Sequence, residues 1–137
     1  MIIRDSYIEK ISKGFHTVPI VILIGARQVG KTTIAENYPA DGKKLLLSGQ
    51  DPEVAEIFQK LSILESYLKV YLDADLKGLL IIDEFQYIPG ISTMLKILTD
   101  KHKDIKVLCT GSSSLDILQQ VEESLAGRVR IIEVFSL

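Results

Sequence analysis

A three-layer α/β fold, with a mainly parallel five-stranded sheet between helices, follows from two patterns in this chain and one motif. Short apolar runs alternate with stretches of helical periodicity along the whole length, as expected for strands joined by crossover helices. Two runs, Ile20-Val21-Ile22-Leu23-Ile24 and Leu79-Leu80-Ile81-Ile82, are wholly aliphatic, as strands covered on both faces are. The first leads straight into Gly25-Ala26-Arg27-Gln28-Val29-Gly30-Lys31-Thr32, the full pattern GxxxxGK[ST] between a buried strand and a helical stretch. In that setting the motif reads as a phosphate-binding loop.

Taken in order, residues 5–13 form a first helix with Tyr7, Ile8 and Ile11 on one side, and residues 18–24 form the first strand. The helix after the loop spans 31–37 and is stopped by Pro39. A turn at Asp41-Gly42 leads into a second strand, 44–48. Asp51-Pro52 starts a helix over 53–60, with aspartate as cap and proline in the first turn. Ser62 is placed to cap a further helix ending near Leu72, and the third strand is 79–83. Pro89-Gly90 breaks the chain before an amphipathic helix at 91–101, and the fourth strand follows at 106–110. A helix at 115–124 precedes a last strand at 130–135. No internal repeat, low-complexity tract or linker interrupts this series.

The loop needs each of its parts. Gly25 and Gly30 let the backbone bend so that successive N–H groups point at phosphate oxygens. Lys31 brings a point charge to the β- and γ-phosphates, and the Thr32 hydroxyl is a ligand for Mg²⁺. The helix opening at Lys31-Thr32-Thr33 adds its positive end. The nucleotide-binding residues are therefore 25–33: Gly25, Ala26, Arg27, Gln28, Val29, Gly30, Lys31, Thr32 and Thr33. With this loop the fold narrows to the P-loop NTPase type, for which sheet order 5-1-4-3-2 is the expectation.

The third strand delivers Asp83 to its carboxyl end, where ligands bind in open α/β sheets. This is a Walker B arrangement, in which Asp83 shares the Mg²⁺ with Thr32. Glu84 follows directly, and a carboxylate there can orient and deprotonate an attacking water. The fourth strand ends in Thr110-Gly111-Ser112-Ser113-Ser114. If that strand lies between the first and third, Ser112 or Thr110 can contact the γ-phosphate or the lytic water, with Ser112 taken as the catalytic candidate. Leu125-Ala126-Gly127-Arg128 offers an arginine ahead of a strand, either for phosphate charge in its own subunit or a neighbour, or as an ordinary surface residue.

Composition bounds the rest. The 137 residues make one domain, with 47% hydrophobic and 25% charged residues. A net charge of −2 lends nucleic-acid binding no bulk support. Cys109 is the only cysteine, so no internal disulfide forms, and its apolar strand makes it a core residue. His16 and His102 lie in polar settings without triad or metal-ligand spacing and read as solvated. No apolar run reaches the roughly 18 residues of a membrane span, so a soluble cytoplasmic protein without membrane partners is expected. The strand-like run closing at Leu137 has no polar tail, so the chain is expected to be the front piece of a longer protein.

Together, GARQVGKTT (25–33), IIDEFQYIP (81–89), TGSSS (110–114) and ESLAGRVRIIEVFSL (123–137) resemble a prokaryotic AAA-like P-loop ATPase family. Its members typically read GPRQVGKTT, DEIQ, TGSS and LAGR followed by an LPLSF-like segment. The resemblance covers nearly the whole chain. It implies an AAA+ or archaeal-ATPase-like core that uses ATP and Mg²⁺, with Lys31, Asp83 and Glu84 in the usual roles. Gln86 matches the DEIQ glutamine and Arg128 the LAGR arginine, in cis or in trans. A further C-terminal domain beyond Leu137 is implied too, as a coupling partner, and a homo-oligomer or protein partner remains open. Ala26 in place of proline, and Val134-Phe135 in place of Leu-Pro, depart from the pattern without removing a catalytic group. Two rivals stand beside ATP hydrolysis: a non-hydrolysing nucleotide switch or DNA-handling regulator, and a small-molecule kinase. The kinase would need an Arg-rich lid after the fourth strand, and none is present.

Overall fold

The structure, a computed structural model, describes residues 2–26 and 30–135. Its five strands are β1 (Ile20–Ile24), β2 (Lys44–Ser48), β3 (Gly78–Asp83), β4 (Ile105–Gly111) and β5 (Val129–Glu133). They form one sheet in the order β2-β3-β4-β1-β5, the order expected, and all four pairings are parallel. Parallel strands need crossovers; α1 (Ile2–Phe15) precedes the first strand, and five helices lie in the connections: α2 (Lys31–Glu36), α3 (Pro52–Ile57), α4 (Leu61–Tyr71), α5 (Ile91–Lys101) and α6 (Leu115–Ser124).

Alternation along the strands divides the core in two. Ile20, Ile22, Leu80, Ile82, Val107 and Cys109 pack against Val54, Leu64, Leu68, Leu95, Leu98 and Val121, the inward residues of α3 to α6. Val21, Leu23, Leu79, Ile81 and Leu108 face the other way, onto Tyr7 and Ile11 of α1 and Ile34 and Ala35 of α2. Both faces being covered, β1 is buried at every residue, which is why it reads as an unbroken aliphatic run. Cys109 lies in this core, and burial pushes its thiol pKa up, so it is a packing residue and a poor nucleophile.

Element boundaries moved where hydrogen bonding, not apolarity, decided them. β1 begins at Ile20 instead of 18 because the Val18 N–H folds back to the Gly14 carbonyl at 3.0 Å, closing α1, and Pro19 has no N–H to give. Asp51 caps α3 through the Glu53 N–H at 2.9 Å. Ser62 does not cap α4: that helix starts at Leu61 from an extended Lys60, which puts Ser62 inside the first turn. His102 is not solvated as expected. It ends α5 partly buried, with Nε2 on Glu65 of α4, and Lys101 reaches the same carboxylate oxygen at 2.8 Å. These two partners hold the Glu65 carboxyl below its ordinary pKa.

Candidate functional site

Parallel topology brings the carboxyl ends of β1, β3 and β4 to one edge of the sheet, with β4 between the other two. The condition on which a role for the β4 terminus depended is therefore met. Gly25 follows β1, Asp83 closes β3, and Gly111 closes β4.

Lys31, the first residue of α2, is 6% exposed. Its Nζ donates to the carbonyls of Gly25 at 2.6 Å and Gly111 at 2.8 Å, so the ammonium is anchored between the β1 and β4 termini. Burial lowers its pKa, and the carboxylates of Glu84 and Asp83 work against that. Gly30 caps α2 in the left-handed region, at φ 94°. Arg27, Gln28 and Val29, the middle of the loop, lie outside the described residues.

Asp83 Oδ1 accepts from the hydroxyls of Thr32 at 2.7 Å and Thr110 at 2.6 Å. The first contact joins the two residues expected to share a cation. The second gives Thr110, wholly buried, a different place from the one sequence reasoning considered for it. Its hydroxyl donates to Asp83 and accepts from the Glu84 N–H at 3.0 Å, so it braces both carboxylate residues.

Glu84 itself is unusual. It sits at φ 53°, ψ 55°, a left-handed conformation that a non-glycine residue holds only where its surroundings enforce it. Two contacts enforce it here. One is the Thr110 hydroxyl on its N–H; the other is Gly49, just past β2, whose N–H donates to the Asp83 carbonyl at 2.7 Å. A β-carbon at Gly49 would collide with the Glu84 carbonyl oxygen and lie 2.9 Å from its carbon, so only glycine fits there. The turn throws the chain into a 3-10 helix, Phe85–Tyr87, that the sequence did not announce. Gln86 in this turn donates from Nε2 towards Glu84 Oε2 at 3.4 Å and Ser112 Oγ at 3.3 Å. Glu84, Ser112 and Lys31 thus lie at one edge of the sheet. Gly49, Thr110 as a brace, and Gln86 as a neighbour of Glu84 were not foreseen from the residues themselves.

Arg128 requires a correction. It precedes β5, so a parallel sheet puts it at the amino edge, opposite the loop. At ~3.3 Å per residue, the strand's length separates the two by roughly 16 Å. There its guanidinium forms a two-pronged pair with Asp100, at 2.8 and 2.9 Å, and donates to the Ala126 carbonyl at 3.1 Å. The pair raises the arginine pKa and lowers that of Asp100. Arg128 does not reach the phosphate site of its own chain.

Chemically, the edge offers a buried cation, hydroxyl and carboxylate oxygens side by side, and a second carboxylate fixed in a strained turn. Thr32 and Asp83 are hard oxygen donors in contact, the ligand type that suits Mg²⁺. No helix among the described residues is long and apolar enough to cross a membrane.

Over its full length the chain is 30% identical to an uncharacterized protein of Mycobacterium tuberculosis, and equally to one of Mycobacterium bovis. It spans only 30% of the length of these curated relatives. Among solved structures, a Walker-type ATPase of Pyrococcus abyssi shares the fold at a TM-score of 0.63 and 16% identity, over 96% of this chain and 53% of that one. PCH-2 of C. elegans does so at 0.54 and 13%, over 85% of this chain and 35% of that one. A DNA replication initiation factor does so at 0.52 and 13%, over 94% and 44%. Likeness at such low identity establishes the fold. The model of the AAA domain matches residues 17–137, and the chain belongs to that family.

Proposed function

We propose that the chain binds ATP with Mg²⁺ at the carboxyl edge of the sheet and hydrolyses it, coupling nucleotide state to a domain or partner outside this sequence. The observation that supports this best is the convergence on one edge of Lys31 Nζ, the Thr32–Asp83–Thr110 cluster and Glu84. Lys31 exchanges its carbonyl partners for β- and γ-phosphate oxygens, a stronger, charge-assisted contact. Thr32 and Asp83 would hold Mg²⁺, whose chemistry is to neutralise charge on those oxygens. Glu84 accepts a proton from water as the water oxygen bonds to the γ-phosphorus and the bond to the β,γ-bridging oxygen breaks, leaving ADP and phosphate. Ser112 lies beside Glu84 through Gln86, where a hydroxyl can meet the γ-phosphate or that water. The curated relatives, of which this chain spans 30%, are long enough to carry such a domain, which supports this reading.

Phosphate release from ATP, with and without candidate acceptors and beside nucleotide affinity, separates a hydrolase from a kinase or a switch. Release without an acceptor is expected; binding without release would favour the switch.

Arg128 has a structural role in this reading. Arg128→Ala is expected to lower the melting temperature, by removing the Asp100 pair and the tie to Ala126, while leaving turnover unchanged. A selective loss of turnover, recovered on mixing with Lys31→Ala chains, would instead show the arginine serving a neighbouring subunit's phosphates.

A further inference from the structure

The 3-10 turn sets the Gln86 carboxamide between two groups of the site. Its nitrogen carries two hydrogens, and two acceptors face it, Glu84 Oε2 at 3.4 Å and Ser112 Oγ at 3.3 Å. Both contacts are long for hydrogen bonds. The amide oxygen fares worse: Gln86 Oε1 is buried and has no hydrogen-bond partner among the described residues. It lies against Gly111, where an ideal β-carbon would come within 2.9 Å of it and 2.7 Å of the Phe85 ring. The space at Gly111 is thus taken up by the Phe85 ring and this amide oxygen.

An orphaned buried oxygen is unfavourable, and native structures keep one only where something else requires it. Turning the amide over would aim that oxygen at the Glu84 carboxylate, which repels it. Leucine would fill the same space and strand no polar atom. Packing therefore does not explain an amide here; the carboxylate and the hydroxyl do. The same strand end is tied to the loop, because the Gly111 carbonyl receives both Lys31 Nζ and, at 3.3 Å, the Gly25 N–H.

We propose that Gln86 is a positioning residue for ATP hydrolysis: its carboxamide links Ser112 to Glu84 and aims the carboxylate at the attacking water. The proposal rests on Glu84 being the base. In this role Gln86 acts through Glu84 and not on the reacting atoms.

The test compares the parent chain, Glu84→Gln, Gln86→Leu and the double variant Glu84→Gln/Gln86→Leu by single-turnover hydrolysis, nucleotide affinity and melting temperature. Gln86→Leu is expected to lower the hydrolysis rate about ten- to a hundredfold, the cost of a misaimed group, with affinity and melting temperature kept. In the double variant the rate should equal that of Glu84→Gln alone, because a residue acting through the carboxylate has nothing left to aim. An unchanged rate in Gln86→Leu overturns the proposal. So does a parallel fall in affinity and melting temperature, or a double variant slower than Glu84→Gln. If the parent does not hydrolyse ATP, the functional reading fails and this proposal with it; an active parent beside a silent Gln86→Leu overturns this proposal alone.

Discussion

Glu84→Gln is expected to bind Mg·ATP as the parent chain does and to hydrolyse it about 10²–10⁴ times more slowly, the contribution of a positioned general base. The backbone reason for a selective effect is visible. Glu84 is held at φ 53° by the Thr110 hydroxyl and by Gly49, neither of which touches its carboxylate, so the amide keeps the same turn. What changes is that an amide cannot take the proton of the attacking water. Single-turnover phosphate release beside an equilibrium nucleotide titration checks this. Hydrolysis at the parent rate would put the base elsewhere.

Lys31→Ala is expected to abolish tight ATP binding. A charge-assisted contact is worth about 1.5–3 kcal/mol, or roughly ten- to 150-fold in Kd. The lysine also spans the termini of β1 and β4, so its loss loosens the floor of the site as well. Its side chain is desolvated already, with a pKa lowered by burial, so phosphate meets a cation that has little water left to lose. Calorimetric titration of Mg·ATP into both chains measures the difference, and equal affinities would refute the phosphate-loop reading.

The fold was legible because its signals are local. A short aliphatic run such as 20–24, bounded by a glycine loop, reads as a strand covered on both faces, and the helix after the loop fixes where that strand ends. Sheet order was expected from the P-loop fold type that the loop and the resemblance indicate, and the role offered to the end of β4 was conditional on it. The turn at Glu84 was not legible: nothing in Asp-Glu-Phe-Gln marks a left-handed residue. Its causes, Gly49 and Thr110, come from other strands and meet it only in the folded sheet. His102 is a similar case, since its partner Glu65 lies on another helix. Arg128 is different, because the information was present. A residue before a parallel strand lies at the opposite edge from one after it, so the position of Arg128 ahead of β5 already excluded reach to its own loop.

The proposed nucleotide site lies at the carboxyl edge of the sheet, and a cavity lies at the other edge. It has a volume of about 720 Å³, with Phe15, Tyr38, Lys77 and Lys106 in its lining. Backbone amide shifts followed during a titration with Mg·ATP decide between the two most directly. Shifts are expected to concentrate at Gly25, Gly30 to Thr33, Asp83, Glu84 and Gly111 to Ser112, with Lys77, Lys106 and Arg128 unmoved. Shifts centred on Phe15, Tyr38 and Lys106, with Lys31 and Asp83 unchanged, would contradict the proposed site.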